Sequence, residues 1–430
     1  MVLRETVCLR QLSGGDHSEE VRYGRFLGNE AVTVENVIAG WSEQTRLAVE
    51  GRHVLALQDT SEIKFATTPD NRRDLGKVKK GNCWGMLLHP MLAVDAEDGT
   101  CLGLVGGRIW TRGDDELPPH AARPLSEKES RRWVETAEAA KPVLVGASMV
   151  TFIGDRESDF FAMWALVPEG NYHLVSRVMH DHGLIGGGTL RQAVQEVAFC
   201  DTQIIELRER VDRPPRQAKL QLRFGEAVIR KSKNLCKAGL PKSIKLRWVE
   251  VVEQAPPEGV EPLHWLILTT HDVTSIAKAW RIVAWYKQRW VIEQFFRTLK
   301  SQGLKIEDSQ LQSAARLEKL LAIAAKAAVI IIQLVQARNG RNDQSAGLVF
   351  TPNEIDTLAA LEKRFKGKTR LQTNPHPKNS LAWAAWIIAK LGGWNGYASS
   401  KPPGPITFFN GLTYFRAVAD GWALRDVYMP

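Results

Sequence analysis

What this chain has little of narrows it quickly. Its cysteines, Cys8, Cys83, Cys101, Cys200 and Cys236, are few, scattered and odd in number. No pair has zinc-ligand spacing, so neither a disulfide framework nor a zinc finger is indicated, and a reducing cytoplasm fits best. The opening residues, MVLRETVCLR, lack the apolar stretch of a signal peptide. Long hydrophobic runs are also scarce. The most apolar, LLAIAAKAAVIIIQLVQ from Leu320, is interrupted by Lys326 and Gln333 and is short for a membrane span, so it reads as a buried core helix. There is no internal repeat and no low-complexity tract. Acids are in deficit: 48 Asp and Glu against 57 Lys and Arg leave a net charge of +9. That balance suits a polyanionic partner, since basic side chains displace counterions from phosphate, but it raises the odds only modestly.

What is present is ordinary globular material, 430 residues with 44% hydrophobic and 24% charged, enough for two or three domains. The first twenty residues show little apolar periodicity and read as an unstructured lead. From about Val21 to Ala48 the pattern is helical. GRHVLALQDT then reads as a buried strand ending in an acid. The basic stretch from Ser61 to Gly81 reads as a loop or hairpin. GMLLHPMLAVDA and GTCLGLVGGRIW read as strands joined at EDG, which with the first strand suggests a meander. A helix is expected around Glu127 to Ala140, and VTFIGDRESDFFAMWALV reads as strand, acid, tight turn, helix. From Tyr172 to Thr270 the chain is strand-rich and basic; after Val273 it is helical to about Arg338. Two more helical segments follow, at SLAWAAWIIAKLGG and near Phe415 to Leu424.

Two acids sit at the ends of apolar strands: Asp59 after VLALQ and Asp155 after VTFIG. A carboxylate held by strand backbone cannot drift, which metal catalysis requires. Yet Asp often ends a strand merely to open a turn or cap a helix, and for either residue alone that plainer reading is the stronger. A third acid shifts the balance. In AWYKQRWVIEQFFRTLKSQG, read as one ideal helix at about 100° per residue, Tyr286, Arg289, Glu293, Arg297 and Lys300 share a face. Trp285, Ile292, Phe296 and Leu299 fall largely opposite. A solvated face usually mixes both signs. Here one carboxylate is ringed by phosphate-binding groups, as phosphodiester chemistry at a metal needs.

Tyr286, Arg289, Glu293 and Lys300 form Y-x2-R-x3-E-x6-K. This resembles the signature of the insertion-sequence-four family of bacterial transposases. LALQDTSE resembles the family's first-aspartate block and IGDRESDF its second, while SRVMHD places Arg177 where the family has a DNA-contacting arginine. The match runs from about Arg22 to Leu424. It implies an α/β fold: an RNase H-like catalytic core over 49–340, with a β-rich insertion at about 178–270 and a C-terminal helical dimerisation region over 341–430. It implies a DDE transposase performing cut-and-paste transposition, with two magnesium ions (manganese able to substitute) held by Asp59, Asp155 and Glu293. Tyr286, Arg289, Arg297 and Lys300 would grip phosphates. Trp265, a core tryptophan by its strand alone, matches a family residue that stacks on a flipped base. The partners implied are double-stranded DNA, as inverted-repeat ends and target, and a second copy in a synaptic complex, in the bacterial cytoplasm at the nucleoid.

Relatives carry several dozen helical residues ahead of the block that here begins near Val21, so residues 1–48 are expected to be a remnant of that DNA-binding region. A shortened form that dimerises and inhibits an intact copy is the alternative function. Rival readings are a metal nuclease that cuts without joining, a non-catalytic regulator, and a hydrolase of small phosphate esters. The last gives no purpose to the cations of the insertion, Arg208, Arg210, Arg213, Arg216, Lys219 and Arg223, unless these are simply a solvated face.

Overall fold

The computed structural model describes residues 7–68, 71–79, 83–113, 128–207, 215–232, 239–341, 343–365, 373–397 and 401–428. Its strands, in chain order, are β1 (His53–Gln58), β2 (Ser61–Phe65), β3 (Gly76–Lys79), β4 (Cys83–Asp95), β5 (Cys101–Trp110), β6 (Met149–Gly154), β7 (Tyr172–Arg177), β8 (Asp201–Leu207), β9 (Arg216–Arg230), β10 (Ser243–Gln254) and β11 (His264–Thr269). The chain divides into two interleaved units. One comprises Arg52–Asp59 and Leu117–Trp290; the other comprises Met1–Gly51, Thr60–Glu116 and Val291–Pro430.

The first unit bears both aspartates of interest. Its strands run β1-β6-β7-β11-β10-β9-β8. The first three are parallel, β1 to β6 and β6 to β7. The remaining pairs are antiparallel. The parallel part is buried along nearly its whole length, with Val54 to Gln58 and Val150 to Gly154 all inaccessible. Parallel strands covered on both faces read as continuous apolar runs, which is why HVLALQ and MVTFIG do not alternate. The antiparallel part alternates instead. In β9 the residues Ala218, Leu220 and Leu222 are buried while Gln217 and Lys219 are exposed, the period of two expected of strands with one covered face. Helices Arg131–Leu144, Phe161–Leu166, Leu190–Gln195 and Ile276–Lys287 complete the unit.

The second unit is richer in helix. Its β4 is flanked antiparallel by β2 on one edge and by β3 and then β5 on the other, since Gly85 pairs with both Lys64 and Gly76. The described residues between Ser61 and Lys79 therefore include two strands, each hydrogen-bonded to β4. The turn at EDG joins β4 to β5 as the sequence suggests, and β1 pairs in parallel with β6.

The apolar run from Leu320 lies in the helix Ala314–Ala337, with Leu317, Leu321, Ala325, Ala328, Ile332 and Leu334 buried. It is long and apolar enough to cross a membrane by length and composition, but 72% of its most apolar window is buried inside the protein. Trp41 donates from its indole N–H to the Ala322 carbonyl at 3.0 Å. Helices Leu381–Leu391 and Pro405–Tyr428 pack against the same helix.

The N-terminal lead differs from the expectation. Helices span Leu9–Leu12 and His17–Gly28. The Asp16 carboxylate caps the second by accepting the N–H groups of Ser18 and Glu19 at 2.8 and 3.3 Å. These local bonds hold the Asp16 carboxyl below its usual range, the Ser18 hydroxyl first among them. The cap offsets weak apolar periodicity, so the helix begins at His17 rather than near Val21.

Candidate active site

β1 and β6 are in register from His53↔Met149 to Leu57↔Ile153. Asp59 and Asp155 each stand two residues beyond that last pair. They leave the sheet side by side, at the carboxyl ends of neighbouring parallel strands about 4.8 Å apart. That end of a parallel sheet is where α/β proteins place ligands. Both residues are half-buried.

The turn after β6 is built to hold Asp155 still. The Asp155 side chain accepts the Glu157 N–H at 2.9 Å, capping a short 3-10 turn, Arg156–Ser158. Its backbone carbonyl accepts the Ser158 hydroxyl at 2.7 Å, and the Ser176 hydroxyl lies 2.6 Å from that of Ser158. Gly154 is required here. A Cβ at that position would fall 2.3 Å from Ser158 Oγ and 2.8 Å from Trp133.

Cations and aromatic rings of the same unit gather at this end. Arg289 Nη1 lies 3.6 Å from Asp59 Oδ2. Its guanidinium carbon is 6.0 Å from the Tyr286 ring and 5.9 Å from that of Trp290. Tyr286 sits between the guanidinium groups of Arg289 and Arg177. Burial pushes its phenol up; the two arginines offset part of that, and the charge of Asp155 adds to it. Burial also pulls Arg177 below its usual range, an effect opposed by Tyr286 and reinforced by Arg156 and Arg289. Arg177 ends β7 and donates from Nη2 to the His264 carbonyl at 2.8 Å. Trp265, half-buried on β11, meets the Tyr286 ring edge-on at 5.4 Å. One unit therefore brings together Asp59, Asp155, Arg177, Trp265, Tyr286 and Arg289.

The segment carrying Glu293 is not the single helix that its periodicity predicts. One helix ends at Lys287 and the next spans Trp290–Lys300, with a turn at Gln288 and Arg289. The amides of Gln288 and Arg289 reach back only three residues, to the Trp285 and Tyr286 carbonyls. Tyr286 is only 4% exposed, so it does not belong to a solvated face.

In the other unit, Glu293 occupies the first turn of Trp290–Lys300 and is half-buried, while Arg297 is exposed. A carboxylate there complements the helix dipole. Val291, Ile292, Phe295, Phe296 and Leu299 are buried. Lys300 donates to the Glu62 carbonyl and lies 3.9 Å from Glu307. Burial lowers its ammonium, Glu307 opposes this, and Lys64 adds to it.

Hard carboxylate oxygens on rigid backbone fit magnesium or manganese better than a soft metal. Asp59 and Asp155 supply such donors, although among the described residues no three His, Cys, Asp or Glu side chains cluster so as to hold a metal ion.

The cations of the antiparallel extension are arranged differently from the expectation of a DNA-facing run. Arg216 is paired with Glu253, with Nη2 to Oε2 at 2.9 Å. Arg223 Nε meets Glu250 Oε2 at 2.6 Å, and His264 Nε2 meets the other oxygen at 2.8 Å. Burial would raise the Glu250 carboxyl, but these partners outweigh it and hold it below its usual range. Lys219 is exposed. Arg208, Arg210 and Arg213 lie outside the described residues. The acids that neutralise Arg216 and Arg223 come from β10, about thirty residues on, which no local charge pattern reveals.

Two further groups carry no sequence signal beyond the presence of polar residues in apolar runs. The Thr151 hydroxyl bonds both His53 Nε2 and His271 Nε2 at 2.8 Å, and His173 stacks on His271 at 4.0 Å. Burial, and then the neighbouring His173 and His53, lower the buried His271 to about 3. Asp159 is the other group. The repeated acid of DRESD was its only hint.

Residues 122–330, a little under half of the chain, match the family model described as the transposase DDE domain. That segment contains Asp155, Arg177, Trp265, Tyr286, Arg289, Glu293, Arg297 and Lys300; Asp59 precedes it. Among solved structures, the chain is similar to the piggyBac transposase in a synaptic complex with hairpin DNA, determined by cryo-EM. The identity is 10%, over 90% of this chain and 57% of that one, with a TM-score of 0.36. The chain thus spans a little over half the length of that protein, and a likeness of this degree supports no inference about fold or activity.

Proposed function

We propose that this chain is a metal-dependent DNA transposase of the DDE type, of the insertion-sequence-four family. The observation that carries the reading is the pair of aspartates at the carboxyl ends of adjacent parallel strands, with Arg177, Tyr286 and Arg289 beside them. The transposase domain match over the second aspartate and the Y-x2-R-x3-E-x6-K segment supports it. Parallel strands β1, β6 and β7 extended by antiparallel strands suit an RNase H-like core.

On this reading Asp59, Asp155 and Glu293 hold two divalent cations, magnesium or manganese. Bound there, the cations lower the pKa of an attacking water or 3′-hydroxyl and stabilise the leaving oxygen. The residues of the chain supply the rest. The strand ends fix Asp59 and Asp155, and the helix Trp290–Lys300 carries Glu293. Arg177, Arg289, Arg297 and Lys300, with Tyr286, orient the backbone phosphates, and Trp265 offers a ring to an unstacked base. Arg289, 3.6 Å from Asp59, offsets the charge of that carboxylate. The DNA partners are transposon ends and target, joined in cut-and-paste fashion by a pair of subunits that meet through 341–430, in a bacterial cytoplasm.

The test is strand cleavage and strand transfer on a duplex bearing the element's own ends, with Mg2+. Glu293→Ala should abolish both while DNA binding stays near the parent level, because it removes a metal ligand rather than a phosphate contact. Cleavage by that variant would sink the triad, and cleavage without joining by the parent would favour a nuclease.

A further inference from the structure

Asp159 lies four residues beyond Asp155, in the same turn, and its side chain is completely buried. Its Oδ2 accepts the backbone N–H groups of Met179 and His180 at 2.7 and 3.0 Å. Its Oδ1 meets His182 Nε2 at 2.7 Å, with the imidazole donating. A carboxylate withdrawn from water is tolerated only where donors satisfy it. All three donors here come from the short stretch that follows Arg177. A second tie runs alongside, where the Ser158 and Ser176 hydroxyls meet at 2.6 Å beneath the Asp155 carbonyl.

We propose that Asp159 is a positioning residue for DNA. It clamps the chain leaving Arg177 onto the turn that presents Asp155. A phosphate gripped by Arg177 is thereby held at a set distance from the second aspartate. Asp159 itself touches no DNA. The inference rests on the transposase reading, in which Arg177 contacts a phosphate. The geometry argues for a clamp rather than plain packing. An apolar side chain would fill the same volume, whereas this carboxylate binds two consecutive amides and a histidine of one segment.

The experiment is equilibrium binding of the full chain to a labelled duplex across a salt series, for the parent, Arg177→Ala, Asp159→Asn and the double variant. Thermal melting is recorded for each. Arg177→Ala should lower the slope of log K against log salt by about 0.9, the loss of one phosphate contact. Asp159→Asn should reproduce that loss with a cooperative melt, and the double variant should lose nothing more. A parent-like slope for Asp159→Asn, or additive losses, overturns the clamp while leaving the transposase reading intact. An unchanged slope for Arg177→Ala instead removes the phosphate contact, and the clamp falls with it. If Asp159→Asn does not fold, His182→Gln and His182→Leu decide. A slope kept by the amide, which still donates, and lost by leucine supports the clamp; equal slopes overturn it.

Discussion

The two ends of the aspartate-bearing unit's sheet use charge in opposite ways. At the parallel end, Asp59 and Asp155 stand at strand termini, Arg289 lies 3.6 Å from Asp59, and Arg177 is partly buried beside Tyr286. At the antiparallel end, Arg223 lies opposite Glu250 on β10, and Arg216 reaches Glu253 from further along β9. At each end the named groups balance two arginines against two acids, so neither set accounts for the net charge of +9. The first gathers these charges around the two aspartates; at the second, the two arginines hold neighbouring strands together. Counting basic residues along a chain therefore overstates the charge that a phosphate backbone would meet.

The largest expected break in that comparison is chemical. Asp155→Ala should lower metal-dependent DNA cleavage by about three orders of magnitude or more, by analogy with the loss of a member of a cooperating catalytic set. Glu250→Ala should leave the chemistry per folded molecule untouched. Gel assays of strand cleavage under matched conditions check both, and a fall with Glu250→Ala in fully folded protein would contradict the division.

Stability should show the reverse. Glu250→Ala leaves Arg223 and His264 without their shared carboxylate, and breaking one side of such a buried pair costs about 3 kcal/mol. Replacing Arg223 and Glu250 together by methionine and leucine should restore most of it. Denaturant midpoints decide, and equal losses for the single and double variants would speak against a specific pair.

The histidine group at the far end of β1 gives a pH prediction. His271 is lowered from 6.5 to about 3, so the folded state disfavours its protonated form. Its contribution is fully present above pH 6.5 and is lost as pH falls from there towards 3, at about 1.4 kcal/mol per pH unit while only the unfolded chain is protonated. His271→Gln should flatten that part of the profile. Unfolding free energies of parent and variant that run parallel across this window would rule the account out.

The smallest effect separates the cations. Arg289→Met should reduce the salt slope of DNA binding by about 0.9, whereas Arg223→Met should leave it where it was. Equal reductions would show that the extension contacts DNA through Arg223 after all.

Much of this was legible in the sequence, for physical reasons that can be stated residue by residue. HVLALQ and VTFIG are short, mostly apolar and each followed by an acid, so they could be read as buried strands presenting carboxylates. The helix Ala314–Ala337 was readable because a long apolar stretch broken by Lys326 and Gln333 is stable only inside a protein. The Y-x2-R-x3-E-x6-K spacing marked candidate residues that fall within the transposase domain match. What local pattern could not give was anything set by partners distant in the chain. The turn at Gln288 and Arg289 interrupts a periodicity that is helical on both sides. The burial of Tyr286 depends on β7 and β11. The neutralisation of Arg216 and Arg223 depends on the register of β9 against β10. The bonds of Asp159 depend on where β7 ends.

The sequence by itself thus determined which residues carry charge, which runs must be buried and where strands stop, since these follow from side-chain chemistry and short-range periodicity. The tertiary structure alone decided that Asp59 and Asp155 stand side by side, through the parallel register of β1 on β6. It also decided which arginines face a carboxylate of their own chain. Both are contacts between segments far apart in sequence, and their energies depend on distance in space.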